Sequence, residues 1–280
     1  MTQTPPEAAE VYALGIDTEE SSRLRRQADE LRPQAVTLLA EIGLRPGHRA
    51  IDLGCGPLGI LDLLAKATAP GGTVTGVDAD PRHVRMAREF AASGGLGNVE
   101  VIHADARDTG LPGRSFDLVH ARTLLVTIPD PAEVVAEMVR LTRPGGWVAS
   151  QEPDCDIALC YPRSPAWDRL RDLFLVSFAR SGADPLIGRR VAELYRAAGL
   201  TDIEVTAYAG VYPAGHSRRS LMPDLVRGLR PAIVELGLAT EQELIDLDHQ
   251  VRQHLADPDT ISLGHLLFIV RGRKLAAGTD

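Results

Sequence analysis

The stretch AIDLGCGPLG, Ala50 to Gly59, ends an apolar run in a turn whose glycines, Gly54, Gly56 and Gly59, follow the G-x-G-x-x-G spacing. In a first βα turn such glycines permit tight backbone geometry and bring a helix N-terminus toward an anionic group. Dinucleotide sites use the same spacing to hold a doubly charged pyrophosphate. Here, however, Asp52 stands two residues ahead of the first glycine. A carboxylate beside a pyrophosphate is repelled by roughly 1 kcal/mol per charge pair in water and by several in a drier site. A ligand carrying both a carboxylate and an ammonium suits the turn better. Helix N–H groups receive its carboxylate, and acid and carbonyl groups receive its cations.

Further groups with chemical potential follow at regular intervals. Asp78 closes an apolar segment about twenty residues beyond the glycines, where an acid can accept both hydroxyls of a ribose. HADARD carries Asp105 and Ala106, FDLVHAR carries His120 and Arg122, and QEPD carries Glu152 and Asp154. The pair Cys155 and Cys160 lacks a third and fourth ligand at zinc-like spacing, so no metal site is expected.

Positioning these groups takes alternating strands and helices. Strands are predicted at RAIDL, GTVTGVD, VEVIHAD, FDLVHAR and GWVASQE, with helices at GILDLLAKAT, PRHVRMAREFAASG and PAEVVAEMVRLT between them. That alternation is the pattern of a parallel sheet covered on both faces. A sixth strand is expected at TDIEVTAYAG and a seventh at GHLLFIVRGRK. Ahead of the sheet, DTEESSRLRRQADEL reads as a helix with a capping box at Asp17 and Glu20, followed by the helix PQAVTLLAEIG with Pro33 in its first turn and Gly43 at its end. The fold class is thus α/β, a doubly wound, seven-stranded, mostly parallel sheet. The expected divisions are an N-terminal helical arm at 1–45, a cofactor-binding core at 46–152, and the rest of the core at 153–280 with helical insertions near 153–186 and 211–262. Insertions at the carboxyl ends of parallel strands commonly cover the site there. Only 4% of the chain is aromatic, yet Tyr161, Trp167, Phe174 and Phe178 all fall in the first insertion. They form either a binding surface or the insertion's own apolar core.

Taken together, these motifs resemble a class I S-adenosylmethionine-dependent methyltransferase of the bacterial small-molecule type, from about residue 12 to 151. AIDLGCGPLG is similar to that family's first motif, TGVDADP to the second, HADARD to the adenine-contacting segment, FDLVHARTLLVTIPDP to the fourth-strand region, and RPGGWV to the turn before the fifth strand. The resemblance implies S-adenosyl-L-methionine as cofactor, S-adenosyl-L-homocysteine as product, a seven-stranded sheet with its last strand antiparallel, and methyl transfer to a small organic acceptor such as a secondary metabolite.

It also implies roles. Gly54 and Gly56 let the backbone approach the cofactor, and Asp52 faces its ammonium end or only orders the loop. Asp78 and Ala79 take the ribose, Asp105 accepts from the adenine amino group or serves as a cap, and the Ala106 N–H meets a ring nitrogen. Gln27, in YALGIDTEESSRLRRQ, corresponds to a glutamine that approaches the methionine end. His120 either contacts the cofactor or is a satisfied strand-end histidine, and His120 and Glu152 are the catalytic candidates, with Asp154 and His216 as further proton acceptors. The family's HLPDP is TIPDP here, with Thr127 where histidine is usual, so no histidine role is carried over.

Bulk properties agree with such an enzyme. The net charge of −8 argues against a phosphate backbone as main partner, with SRLRRQ and GHSRRS the only short basic runs. No apolar run approaches the ~20 residues of a membrane span, and MTQTPPEAAE lacks a basic-then-apolar signal. Three cysteines make no disulfide framework, so a cytoplasmic location is expected. A monomer or homodimer is expected, with no sequence pattern that chooses between them. The competing readings are a noncatalytic or rearrangement-catalysing S-adenosylmethionine-binding protein and a nicotinamide-dependent oxidoreductase.

Overall fold

The structure is a computed structural model, described here for residues 28–276. The candidate cap at Asp17 and Glu20, the residue Gln27 and the basic run SRLRRQ lie outside the described residues.

Helix α1, Arg32–Ile42, begins with a proline in its first turn and ends at Gly43, whose φ of 72° closes the helix by donating to the last carbonyls. Strand β1, Arg49–Leu53, then leads through the glycine turn into α2, Leu61–Thr68. The alternation continues with β2 (Thr73–Asp78), α3 (Pro81–Ser93), β3 (Val99–His103), β4 (Phe116–Arg122), α4 (Pro131–Leu141) and β5 (Thr142–Asp154). Helix α3 starts where the side chain of Asp80 accepts from the Arg82 N–H and Pro81 fits the first turn. The chain then forms β6 (Leu159–Tyr161), α5 (Pro165–Arg180), α6 (Val191–Ala197), β7 (Thr201–Ala209), α7 (Leu221–Glu235), α8 (Glu241–Ala256), β8 (Ile261–Leu263) and β9 (Leu266–Arg273).

Seven strands pair in the order β3-β2-β1-β4-β5-β9-β7. β1 to β5 are mutually parallel, and β9 runs antiparallel to both of its neighbours, β5 and β7. Every predicted strand is present. Both faces of the sheet are buried: Ile51, Leu53, Val119 and Ala121 point into one apolar cluster, and Ala50, Leu118 and Ala149 into the other. Continuous apolar burial on both faces is what near-continuous hydrophobic strands require.

The two insertions pack on each other. Helices α5, α7 and α8 share an apolar interior, continuous with one face of the sheet, and β6 pairs antiparallel with β8 in a small separate ladder. That ladder has three residues on each side, too short for its own alternation to mark it in the sequence. The aromatic cluster resolves in favour of the core. Trp167, Phe174 and Phe178 are buried, the last two with rings 5.1 Å apart, whereas Tyr161 is 66% exposed. The spacing of Trp167, Phe174 and Phe178 at helical intervals along α5 gives one face, and that face turns inward. Among the described residues no helix is long and apolar enough to cross a membrane.

Burial on this scale sets an expected contrast. Phe174→Ala lowers the stability to denaturant by about 3–5 kcal/mol through cavity formation. Tyr161→Ala changes it by less than about 0.5 kcal/mol. Equilibrium unfolding in urea measures both.

Candidate active site

Strand order reverses between β1 and β4, and in open α/β sheets the crevice at such a point, beyond the carboxyl ends of the strands, is where ligands sit. The residues singled out in the sequence converge there. Cys55 donates its N–H to the Val77 carbonyl at 2.9 Å, so the β1–β2 ladder extends into the glycine turn. Gly56 then donates its N–H to Asp78 Oδ2 at 2.8 Å, with φ +57° and open space where a Cβ would lie. The other oxygen of Asp78 accepts from the Asp80 N–H at 2.9 Å and lies 3.4 Å from His83 Nδ1. One side of the carboxylate is thereby fixed to the loop and to the first turn of α3. Its side chain keeps 12% of its surface open. Ala79 is exposed beside it and accepts at its carbonyl from His103 Nε2 at 2.8 Å.

Asp52 departs from its expected direction. Its register partner across the sheet is His120, and its Oδ1 accepts from His120 Nδ1 at 2.7 Å. Oδ2 accepts from the Ile60 N–H at 3.3 Å. Both oxygens are engaged inside the protein and the residue is buried, so Asp52 orders the loop in this structure. Gly59 belongs to the same arrangement, because a Cβ there, at φ +51°, would overlap Asp52 Oδ2 and meet the Cys55 carbonyl at 2.6 Å. His120 is correspondingly the satisfied histidine: fully buried, with Nε2 at 3.4 Å from Gln151 Oε1.

Glu152 is also corrected. It sits fully buried at the end of β5, where Oε1 accepts from the Leu124 and Leu125 N–H groups at 3.0 and 3.1 Å and Oε2 from Val126 at 3.2 Å. These are the free donors at the start of the 3₁₀ turn Leu125–Thr127, and an anion is the natural partner for them. Burial pushes the Glu152 carboxyl up to about 7, against the opposing pull of the three N–H groups. It holds the segment after β4 and is not open to an acceptor. Asp154 pairs with Arg189. His216 accepts from the Arg218 N–H through Nδ1 at 3.1 Å and stacks on Tyr212. None of the four proposed proton acceptors is an unengaged base.

The adenine segment lies beyond β3. Asp105 Oδ1 accepts from the Arg107 N–H at 2.8 Å, an Asx turn rather than a helix cap, and the Arg107 guanidinium grips Oδ2 at 2.6 Å. Arg107 holds the Asp105 carboxyl below the usual carboxylate range. An adenine amino group would share this acceptor with Arg107. Ala106 is buried in the sheet's core. The run GHSRRS is not a solvent-facing basic patch. Arg218 lies 3.4 Å from Glu30, and Arg219 donates to the carbonyls of Asp257 and Thr260 at 3.1 and 2.8 Å.

Sequence reasoning passed over His83 and Gln151, whose Oε1 faces His120 Nε2. Their signal is positional: His83 lies one turn into the helix that follows Asp78, and Gln151 stands in register with Arg122.

Residues 44–174 match the family model described as a methyltransferase domain. Just under half of the chain is thus similar to a methyltransferase domain. A protein of transposon TN4556 in Streptomyces fradiae, of 37.1 kDa and uncharacterised, is 33% identical over 203 residues, 72% of this chain. The match takes in 56% of that relative, so the chain spans just over half its length. The demethylmenaquinone methyltransferase of Geobacillus kaustophilus is 29% identical over 191 residues, 64% of this chain and 82% of that protein. In fold, the phosphoethanolamine N-methyltransferase 2 of Haemonchus contortus aligns with a TM-score of 0.56 at 19% identity, over 87% of this chain and 52% of that one. The matched residues take in the glycine turn, Asp78, Asp105, Arg122 and Glu152.

Two measurements test the loop and the buried acid. Gly56→Ala costs about 1–2 kcal/mol, the left-handed strain alone, while Gly59→Ala costs at least about 1 kcal/mol more because it displaces Asp52; thermal unfolding ranks them. Glu152 is protonated in the folded state between about pH 4.5 and 7 but ionised in the unfolded chain there. Its contribution is complete below that window and is lost as pH rises through about 7. Wild-type stability relative to Glu152→Gln therefore falls across this window by on the order of 3 kcal/mol, read from urea unfolding at several pH values.

Proposed function

We propose that this chain binds S-adenosylmethionine at the carboxyl ends of β1 and β2 and transfers its methyl group to a small organic acceptor held beneath α5, α7 and α8. The observation that carries the reading is the antiparallel strand β9 inserted between β5 and β7, beside a glycine turn bonded to an acid at the tip of β2. A dinucleotide-binding sheet in the order 3-2-1-4-5-6 has no such strand, which counts against the nicotinamide reading. The methyltransferase domain and the name of the Geobacillus relative support the same conclusion, and that relative's name points to a small-molecule acceptor.

The residues present fit the group. The open space over Gly56 admits a ligand against the backbone, and the exposed side of Asp78 can accept ribose hydroxyls while its other side stays fixed. Ala79 and Ala106 flank the adenosine end, and Asp105 can exchange Arg107 for an adenine amino group. Bound there, S-adenosylmethionine supplies a sulfonium-activated methyl and leaves as S-adenosylhomocysteine. The chain's own part is orientation. Glu152 fixes the 124–126 backbone that borders the end of β4, and Leu124 packs so close to Gly54 that a Cβ there would lie 2.6 Å from its Cδ1. With His120 and Glu152 engaged internally, rate arises from in-line positioning rather than from a general base.

Calorimetry on the purified chain checks the cofactor. Asp78→Ala is expected to weaken S-adenosylmethionine binding at least about tenfold, the loss of a charge-assisted pair of hydrogen bonds. Unchanged affinity would remove the ribose role. Incubation with methyl-labelled cofactor and a cell extract is expected to yield labelled extractable product, whereas cofactor binding without label would point to the noncatalytic reading.

A further inference from the structure

The carboxylate that stands where a purine amino group would be received is already saturated. Asp105 Oδ1 accepts from the Arg107 N–H at 2.8 Å and from Arg107 Nε at 3.1 Å, and Oδ2 accepts from Nε at 3.2 Å and from Nη2 at 2.6 Å. An ionised carboxyl group offers about four acceptor positions, so a single residue of the chain itself fills them. The backbone bond fixes the turn, and the guanidinium then reaches back two residues in the forked geometry in which arginine binds carboxylates best. A purine amino N–H therefore cannot donate to Asp105 until the guanidinium moves. Nothing in the core opposes that movement, because the two side chains keep 39% and 36% of their surface open.

The groove beside this pair supplies a second seat. It has a volume of about 580 Å³, with Asp105 and Arg107 on one wall and Glu133, Glu137 and Arg140 of α4 on the other. Glu137 is not open to Arg107. It accepts from the Thr109 N–H at 3.0 Å and the Thr109 hydroxyl at 2.6 Å, and Arg140 holds both of its oxygens. Glu133 differs. It is exposed in the first turn of α4 and its side chain makes no hydrogen bond or ion pair among the described residues. Asp130, ahead of the same helix, makes no capping bond either. Asp105 favours the charge of Arg107 most strongly, and Glu133 and Asp130 add to it. One guanidinium thus faces two acidic positions, and only one of them is engaged.

We propose that Arg107 is a specificity-determining competitor for the cofactor's base: it holds Asp105 in the structure described above and crosses the groove to Glu133 when a purine 6-amino group takes its place. The proposal rests on the S-adenosylmethionine reading above. A 6-oxo base gains nothing from the exchange, because it offers Asp105 no N–H at that position and meets the guanidinium where it already stands. Both acidic positions lie at the surface, where ion pairs are weak, so Arg107 tunes affinity and does not block the site.

The test is calorimetry on the full chain with S-adenosylhomocysteine and its 6-oxo analogue, S-inosylhomocysteine. Arg107→Ala is expected to tighten S-adenosylhomocysteine at least about threefold and to leave S-inosylhomocysteine no tighter. Glu133→Gln is expected to weaken S-adenosylhomocysteine about twofold when Arg107 is present, and to have no effect when combined with Arg107→Ala, where no guanidinium needs a second seat. Arg107→Lys, which keeps the charge without the fork, falls between wild type and Arg107→Ala. Both side chains are exposed, so the variants keep the wild-type fold. An Arg107→Ala chain that binds S-adenosylhomocysteine no more tightly than wild type overturns the proposal. So does equal tightening of both ligands, which is a general effect of removing a positive charge. Failure of wild type to bind S-adenosylhomocysteine at all overturns the cofactor reading and this proposal with it, whereas binding without the gain in Arg107→Ala overturns this proposal alone.

Discussion

A single hydrogen bond, Gly56 N–H to Asp78 Oδ2 at 2.8 Å, ties the glycine turn to the tip of the neighbouring strand. It adds to the Cys55 N–H bond to the Val77 carbonyl, and the two together keep the turn after β1 and the acid after β2 from being independent loops. With it they form one rigid wall, and the carboxylate keeps a fixed side and an open side. Asp80 and His83 hold the same carboxylate from α3, so its direction is determined by three elements at once. The open side is what a pair of vicinal hydroxyls requires. Everything proposed about the ligand depends on that direction being set before the ligand arrives, because preorganised acceptors lose little on binding.

Beneath this wall lies a buried polar layer that crosses the sheet: Asp52 on β1, His120 on β4 and Gln151 on β5, with Glu152 turned to the other face. Each carboxylate there is satisfied by neighbours, as burial demands. The layer has a structural consequence for chemistry. Acids and bases placed near the carboxyl ends of strands are used to hold backbone, Asp52 at Ile60 and Glu152 at the start of a 3₁₀ turn, so the site offers shape and orientation more than proton transfer. Methyl transfer from a sulfonium tolerates that division of labour, since the donor is already activated. Arg122 Nη1 and Gln151 Nε2, at the edge of this layer, are buried without a partner among the described residues.

The fold was legible in the amino-acid sequence because its signals are local. Apolar runs of five to seven residues, Pro33 and Gly43 around the first described helix, and Asp80-Pro81 ahead of α3 each act within one turn or one strand. The glycine turn and Asp78 were legible for the same reason: residue type and spacing alone constrain them. What the sequence left open is decided by partners distant in the chain. Asp52 looked free to meet a ligand until its register placed it opposite His120, 68 residues away. Glu152 looked like a mouth residue until the backbone of 124–126 folded over it. The aromatic residues of α5 were equally consistent with a binding surface and a core, and the packing of α7 and α8 against them made the choice. Arg219 shows the same limit on the basic run GHSRRS, whose charge is spent on internal carbonyls.

A crystal structure of the chain grown with S-adenosylhomocysteine tests the central claim most directly. The account predicts electron density with both ribose hydroxyls on the open side of Asp78, the backbone of Gly56 in contact with the ligand, and the sulfur directed toward the end of β4. A ligand seated elsewhere, or a nicotinamide dinucleotide taking this crevice in competition with its phosphates against Gly56, would contradict it.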